Sequence, residues 1–198
     1  MLIEFIQYQF MKGGGQIEFE DSNTETTILS LFDYNSDGYI TYAEAVSTTG
    51  ESLFTNKTGI YAFEEFQYFE NVSLENTRTN NMYSGAFNGC TNLTKIKLND
   101  KHTVIGNYAF RNCSSLTKIE LPATVTTIRD AVFWNTTNLT TIICRATTPP
   151  TLTSSDTGIG TGKSVYVPDE SLELYSTAEN WNTLYEQGII KPLSEYTE

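Results

Sequence analysis

One histidine, three cysteines, five prolines and twelve basic residues are spread over 198 positions. Each shortage excludes something. Proton shuttles and hydrolase triads usually need histidine, and the lone His102 falls in a loop between repeated segments, where it reads as a solvated residue. No CxxC pair or zinc-spaced set of cysteine and histidine occurs. Three cysteines are too few for a disulfide scaffold. Cys90 and Cys113 read as small buried apolar residues, although their spacing does not forbid a bridge. Basic residues are outnumbered by 24 acidic ones, for a net charge of -12, and a polyanionic surface repels phosphate backbones, so nucleic acid is not an expected partner. Long apolar runs are also missing. "MLIEFIQYQF" at 1–10 is interrupted by Glu4, is too short to span a bilayer and lacks the basic leader of a signal peptide, so the chain reads as a soluble, mature or trimmed product. "GIGTGKS" at 158–164 ends like a phosphate-binding loop, but Thr157 stands where that motif needs its first glycine. The adjacent acids Glu64 and Glu65, and Asp169 and Glu170, read as solvated neighbours rather than a glycosidase pair. The expectation is a protein that is not an enzyme.

What is present is a repeated phrase. "AFNGCTNLTKIKL" at 86–98 returns as "AFRNCSSLTKIEL" at 109–121 and, worn, as "VFWNTTNLTTIIC" at 132–144. Phe87, Phe110 and Phe133 keep a 23-residue step, as do Leu93, Leu116 and Leu139, and Ile96, Ile119 and Ile142. A degraded upstream copy is read at a 24-residue step, with Ala62-Phe63, Phe66, Phe69, Val72 and Leu74. L-x-x-I-x-L places Ile96 and Leu98 on one side of a strand, because side chains alternate with period two. "AF-x-x-C" has helical-turn spacing, stopped by Asn and Gly. One unit alone cannot bury its Phe, Leu and Ile, so the units must stack.

Charge follows this organisation. Residues 1–81 hold 13 acidic and 3 basic groups, residues 82–147 hold 3 and 7, and residues 148–198 hold 8 and 2. The outward strand positions are Lys95, Lys97, Asn99, Lys118, Glu120, Thr141, Ile143 and Arg145. They gather basic residues on one face of an acidic chain, and Lys95, Lys97, Lys118, Glu120 and Arg145 are the candidate ligand-binding residues.

Upstream, "DYNSDGYITYAE" at 33–44 fits the twelve-residue EF-hand calcium loop. Asp33, Asn35 and Asp37 fall at positions 1, 3 and 5, Gly38 makes the turn at 6, and Tyr39 offers its carbonyl at 7. Thr41 stands at 9 and Glu44 closes the loop at 12. Hard oxygen donors with three carboxylates suit Ca2+. Ser22 and Glu25 have capping-box spacing for an entering helix with Ile28, Leu31 and Phe32 on one face. A single loop before a stack that needs an end cap reads as a structural brace rather than a sensor. At the far end "ATTPP" stops the stack, "SVYVP" is a last strand, and "DESLELYSTAENW" is an amphipathic capping helix with Leu172, Tyr175 and Ala178 on one face; Trp181 and Leu184 complete the seal.

"GAFNGCTNLTKIKL", "YAFRNCSSLTKIELPATVTTI" and "CRATTPPTL" followed by "VYVPDESLELYSTAENW" resemble the BspA-like leucine-rich repeat family of bacterial surface proteins, over residues 60–198. The resemblance implies a secreted or cell-surface location and binding of host proteins or other cells. The fold expected is α/β, a right-handed leucine-rich repeat solenoid of 23-residue repeats with helical caps at both ends. Its parts are an N-terminal strand segment (1–20), an EF-hand-like helix-loop-helix cap (21–59), the repeats (60–147) and a C-terminal strand and helix cap (148–198). The function expected is adhesion through a protein or glycan ligand, with no membrane span in this chain. A structural or assembly domain, or an accessory domain of a larger surface protein or enzyme, stays open as the alternative.

Overall fold

The computed structural model describes residues 15–51, 53–75 and 85–197; "MLIEFIQYQF" lies outside them. In chain order the elements are α1 (Ser22–Phe32), α2 (Tyr42–Ser47), β1 (Gly50–Glu51), β2 (Ala62–Phe63), a 3-10 turn (Glu64–Tyr68), β3 (Val72–Ser73), β4 (Lys95–Ile96), β5 (Val104–Ile105), β6 (Lys118–Leu121), β7 (Thr127–Ile128), β8 (Thr141–Cys144), β9 (Thr151–Leu152) and β10 (Ser164–Val167). After these come α3 (Leu172–Thr177), α4 (Trp181–Glu186) and β11 (Ile190–Pro192).

Alternation builds each rung. Along β6, Lys118 and Glu120 are exposed while Ile119 and Leu121 are buried. Parallel pairing then sets rung on rung: Lys118 lies opposite Thr141 and Ile119 opposite Ile142, and Val104 lies opposite Thr127 in the second sheet. The 23-residue step is therefore the strand register of this α/β repeat. The turns stack in the same step, since Phe87 N donates to Ala109 O (2.7 Å) and Phe110 N to Val132 O (3.0 Å), and the stack continues two residues out of step where Phe133 N donates to Thr157 O (2.9 Å). Each turn ends on a left-handed residue, Asn56, Gly89, Asn112, Asn135 or Gly158, the residue types that reach positive φ at least cost.

Aromatic rings form the central column. Phe54, Phe87, Phe110 and Phe133 stack in turn with centroids 4.8, 5.6 and 6.0 Å apart and planes within 8°. Burying each of these side chains contributes about 1.5–3 kcal/mol. Beside the column the Cys90 thiol donates to Phe54 O (3.0 Å) and the Cys113 thiol to Phe87 O (3.1 Å). All three cysteines are free and buried, and burial pushes the Cys90 thiol up to about 12, so they are packing groups rather than nucleophiles.

The upstream rung differs from its expected register. Ala62 pairs with Lys95 and Phe63 with Ile96, while Phe54 stacks on Phe87. The offset is thus 33 residues, not 24: Phe54 holds the column assigned to Phe63, and Phe63 takes the isoleucine place. Phe54 precedes Phe63 by the same interval as Phe87 precedes Ile96, so most of the extra length of this unit falls after β3, between Leu74 and Phe87.

Both ends of the stack are covered. Phe32 on α1 packs against Phe54 and Phe69, with centroids 5.8 and 5.9 Å away. The cap of α1 is Asp21, whose side chain accepts from Thr24 N at 2.8 Å, so the cap lies one residue before the expected Ser22. At the other end Tyr175 and Trp181 meet edge to face at 4.9 Å. The Tyr175 hydroxyl donates to Ala146 O (2.8 Å) and the Trp181 indole N–H to Pro150 O (2.6 Å), so both large side chains are buried with their polar atoms satisfied.

Candidate binding face and oxygen-rich loop

The outward positions of β4, β6 and β8 make one face. Lys95, Lys97, Lys118 and Glu120 are exposed there and Arg145 is half-buried. Arg145 Nε donates to Glu120 Oε1 at 2.7 Å across adjacent rungs, and that hydrogen bond raises the guanidinium pKa. Lys95 Nζ reaches Glu20 Oε1 at 3.3 Å, tying the face to the N-terminal unit. Lys118 Nζ donates to the Tyr196 hydroxyl (3.1 Å). Exposed pairs of this kind contribute about 0–1 kcal/mol each, so their effect is to fix where charge stands. Asn99 is half-buried and donates its amide to Gln67 O (3.1 Å).

Ile143, read as outward, is buried at 2% exposure. The cause is distant in sequence. Its register partner Tyr166 packs on Tyr196 at 5.1 Å, so the C-terminal segment covers this end of the face.

Between β4 and β6 the face sinks into a groove of about 940 Å³. Gln67 and Tyr68 from the 3-10 turn and Lys101 from the β4–β5 loop line it together with Lys97, Lys118 and Pro122. Lys101 and the 3-10 turn were not among the candidates, because only the folded chain brings them to the face. The run of charge in "KIKLNDK" was the available signal.

Two titratable groups read as solvated are buried. His102 is 4% exposed; its Nε2 lies 3.3 Å from Val72 O, and its Nδ1 lies 3.2 Å from Asn99 N. The neutral ring that donates from Nε2 and accepts at Nδ1 satisfies both contacts. Glu65 is 6% exposed: Oε1 accepts from Glu20 N at 2.8 Å, while Oε2 is buried without a partner. Burial raises the Glu65 pKa above its usual value. Glu20, just before α1, meets Glu65, and Phe66 and Val72 cover His102, contacts that local sequence does not reveal.

In the 33–44 loop the side chains turn onto the backbone. Gly38, at φ +87°, donates to Asp33 Oδ2 (3.0 Å), Asp37 N to Asn35 Oδ1 (3.0 Å) and Tyr39 N to Asp37 Oδ1 (3.2 Å). Glu44 Oε2 accepts from both Thr41 N and Thr41 Oγ1 at 2.9 Å, a capping box opening α2. Repulsion from Asp37 first, and from Glu44 and Asp33 as well, raises the Tyr39 pKa, so the three carboxylates share one neighbourhood. Among the described residues no three acidic, cysteine or histidine side chains stand close enough to grip a metal together. The donors themselves, carboxylate, amide and carbonyl oxygen, have the chemistry a hard cation takes. Thr41 also pairs with Gln16 in an antiparallel bridge, and Ile17 N donates to Ile40 O (2.7 Å), so the strand segment before α1 ties down the loop.

No helix among the described residues is long and apolar enough to cross a membrane. No curated protein matches the chain. The stacked rungs, their 23-residue register and the column of phenylalanines coincide with residues 55–151, just under half of the chain, and that segment matches the family model described as BspA type Leucine rich repeat region (6 copies).

Proposed function

We propose that this chain is a non-enzymatic recognition module, a capped leucine-rich repeat solenoid displayed at a cell surface or secreted, which binds a protein or glycan through the face formed by Lys95, Lys97, Lys118, Glu120 and Arg145. The observation that carries the reading is the groove of about 940 Å³, where Lys95, Lys97, Lys101, Lys118 and Arg145 stand beside Glu64, Glu70, Asp100 and Glu120, on a chain whose net charge is -12. A concave site of this size suits a bound ligand. The match of the repeats to the BspA type supports recognition of protein at a surface.

Calcium belongs to this reading as a brace. Asp33, Asn35, Asp37, the Tyr39 carbonyl, Thr41 and Glu44 would hold it, and the ion would supply charge neutralisation to a segment crowded with carboxylates. It would tie the entry to α2 to the end of α1 and so stiffen the cap over Phe54.

The experiment is a screen of the folded protein against immobilised matrix proteins and glycans, repeated with Lys95→Glu, Lys97→Glu and Lys118→Glu combined. Loss of the captured partner supports the face. Unaltered capture removes the face from consideration.

A further inference from the structure

The turns of the repeat carry a second set of outward positions. Immediately after each stacked phenylalanine stand Thr55, Asn88, Arg111 and Trp134 in successive turns. Three of the four are polar, so the stack itself does not call for an aromatic ring there. Trp134 is nonetheless 45% exposed, and its indole N–H has no hydrogen-bond partner among the described residues. Trp181, by contrast, is 1% exposed and gives its N–H to Pro150 O. Single exposed apolar side chains are common, so the surroundings of Trp134 decide whether the ring has a use.

One face of the indole is taken. The Arg111 guanidinium lies 4.6 Å from its centroid and 5.7 Å from that of Tyr108. This contact holds the ring in one orientation, which lowers the ordering cost of a ligand set against it. It also places a cation behind the π face, so a second cation on the open side is repelled. The next turn does not cover that open side with a side chain at 158. A Cβ on Gly158 would run into the Phe133–Trp134 peptide, so the chain crosses the backbone of Trp134 there as bare glycine.

Beside the ring an amide ladder comes to its end. Asn135 Nδ2 donates to Asn112 Oδ1 (2.9 Å), and Asn112 Nδ2 to Asn88 Oδ1 (3.2 Å). Bonds in such a chain polarise one another. Asn135 is exposed, and its Oδ1, without a partner among the described residues, is the electron-rich end of the ladder. An apolar plate, an idle N–H donor and an idle acceptor thus stand on adjacent residues. A sugar ring suits that set, because its C–H groups form an apolar face for the indole while its hydroxyls both donate and accept at the rim.

We infer that Trp134 and Asn135 form a stacking subsite for a neutral pyranose on the turn side of the repeat. The groove takes no part in it, since no residue of the turns 86–91, 109–114 or 132–137 lines the groove. The subsite therefore lies beyond the recognition face and is tested separately from it.

The test is acrylamide quenching of tryptophan fluorescence in the whole chain, titrated with cellohexaose, chitohexaose and mannohexaose. With Trp181 buried, quenching reports on Trp134. At least one of these sugars is expected to cut quenching about twofold, with a dissociation constant of about 1 mM or below. Calorimetry with that sugar should show binding about tenfold weaker for Asn135→Ala and none for Trp134→Ala, with Trp134→Phe in between. Cooperative melting of the variants establishes that the fold persists. Trp134→Ala should leave capture through the Lys95, Lys97 and Lys118 face unchanged. No protection by any of the three sugars at about 20 mM, or binding that survives Trp134→Ala, overturns the inference. Protection by a proline-rich octapeptide and by none of the sugars makes the occupant a protein segment and also overturns it.

Discussion

His102 lies flat against Phe66, with ring centroids 5.2 Å apart and planes tilted by 18°. The ring joins the β4–β5 loop to the 3-10 turn and, through Val72 O, to β3. It thereby pins the first complete repeat to the unit before it.

That contact makes the joint acid-sensitive. Burial, opposed by the contacts to Val72 and Asn99, lowers the His102 pKa below its usual 6.5. A neutral ring favoured by the fold contributes stability that is full above the unfolded value and is lost as pH falls below about 6.5 toward the depressed folded value. The melting temperature of the native chain should therefore drop more steeply than that of His102→Gln between pH 7 and pH 5. Parallel curves would show that the ring is not buried in solution.

Glu65 carries the opposite sign. Its raised pKa means that the protonated form is favoured by folding, so its contribution is present below the usual carboxyl range and declines as pH rises through the folded value. Glu65→Gln keeps an acceptor for Glu20 N and removes the buried charge. The variant should melt above the native chain at pH 7.5 and near it at pH 4; a difference that does not grow with pH would count against the burial of this carboxyl.

The column of rings sets the cost of core truncation. Phe110 is fully buried between Phe87 and Phe133, so Phe110→Ala should lower unfolding free energy by about 3–5 kcal/mol in urea titration. Trp134, 45% exposed beside the Arg111 guanidinium, should lose only about 0.5–1 kcal/mol on the same change. Equal costs would mean that the stack is not the core.

For the 33–44 loop, calcium at about 100 times its dissociation constant should stabilise the fold by about 2.7 kcal/mol, by mass action on the folded state. Chelation should return the native chain to the melting temperature of Glu44→Gln and should speed cleavage within residues 20–60. Titration calorimetry with CaCl2 that gives no heat, together with melting indifferent to chelator, would leave the loop as a backbone turn alone.

The strand register between β6 and β8 and the buried rows could be read in advance because each follows from side chains inside one 23-residue unit. Features fixed between units could not. Phe54 took the place expected of Phe63 because the first unit is longer than the others, and its extra residues fall mostly between Leu74 and Phe87. Ile143 is buried on the outward side because Tyr166 and Tyr196, from the end of the chain, cover it. His102 and Glu65 are polar letters in loop-like surroundings; Phe66 and Val72 bury the first, and the segment leading into α1 meets the second through Glu20. The missing ladder pairing between β4 and β6 occurs in the best-kept pair of copies, and Pro122 was its one local sign. The loop at 33–44 was legible as a set of oxygen donors, whereas the folding of Glu44 onto Thr41 depends on the cap that opens α2.

The near-parallel column of phenylalanines also bears on how such a protein can change length. Each ring meets much the same surface above as below, so removing or duplicating a whole unit between Phe110 and Phe133 leaves a junction of unchanged character, while gaining or losing one residue would throw every inward side chain outward. Heredity can therefore edit this molecule in paragraphs but not in letters, and what it edits is the reach of the displayed face, with both lids left as they are.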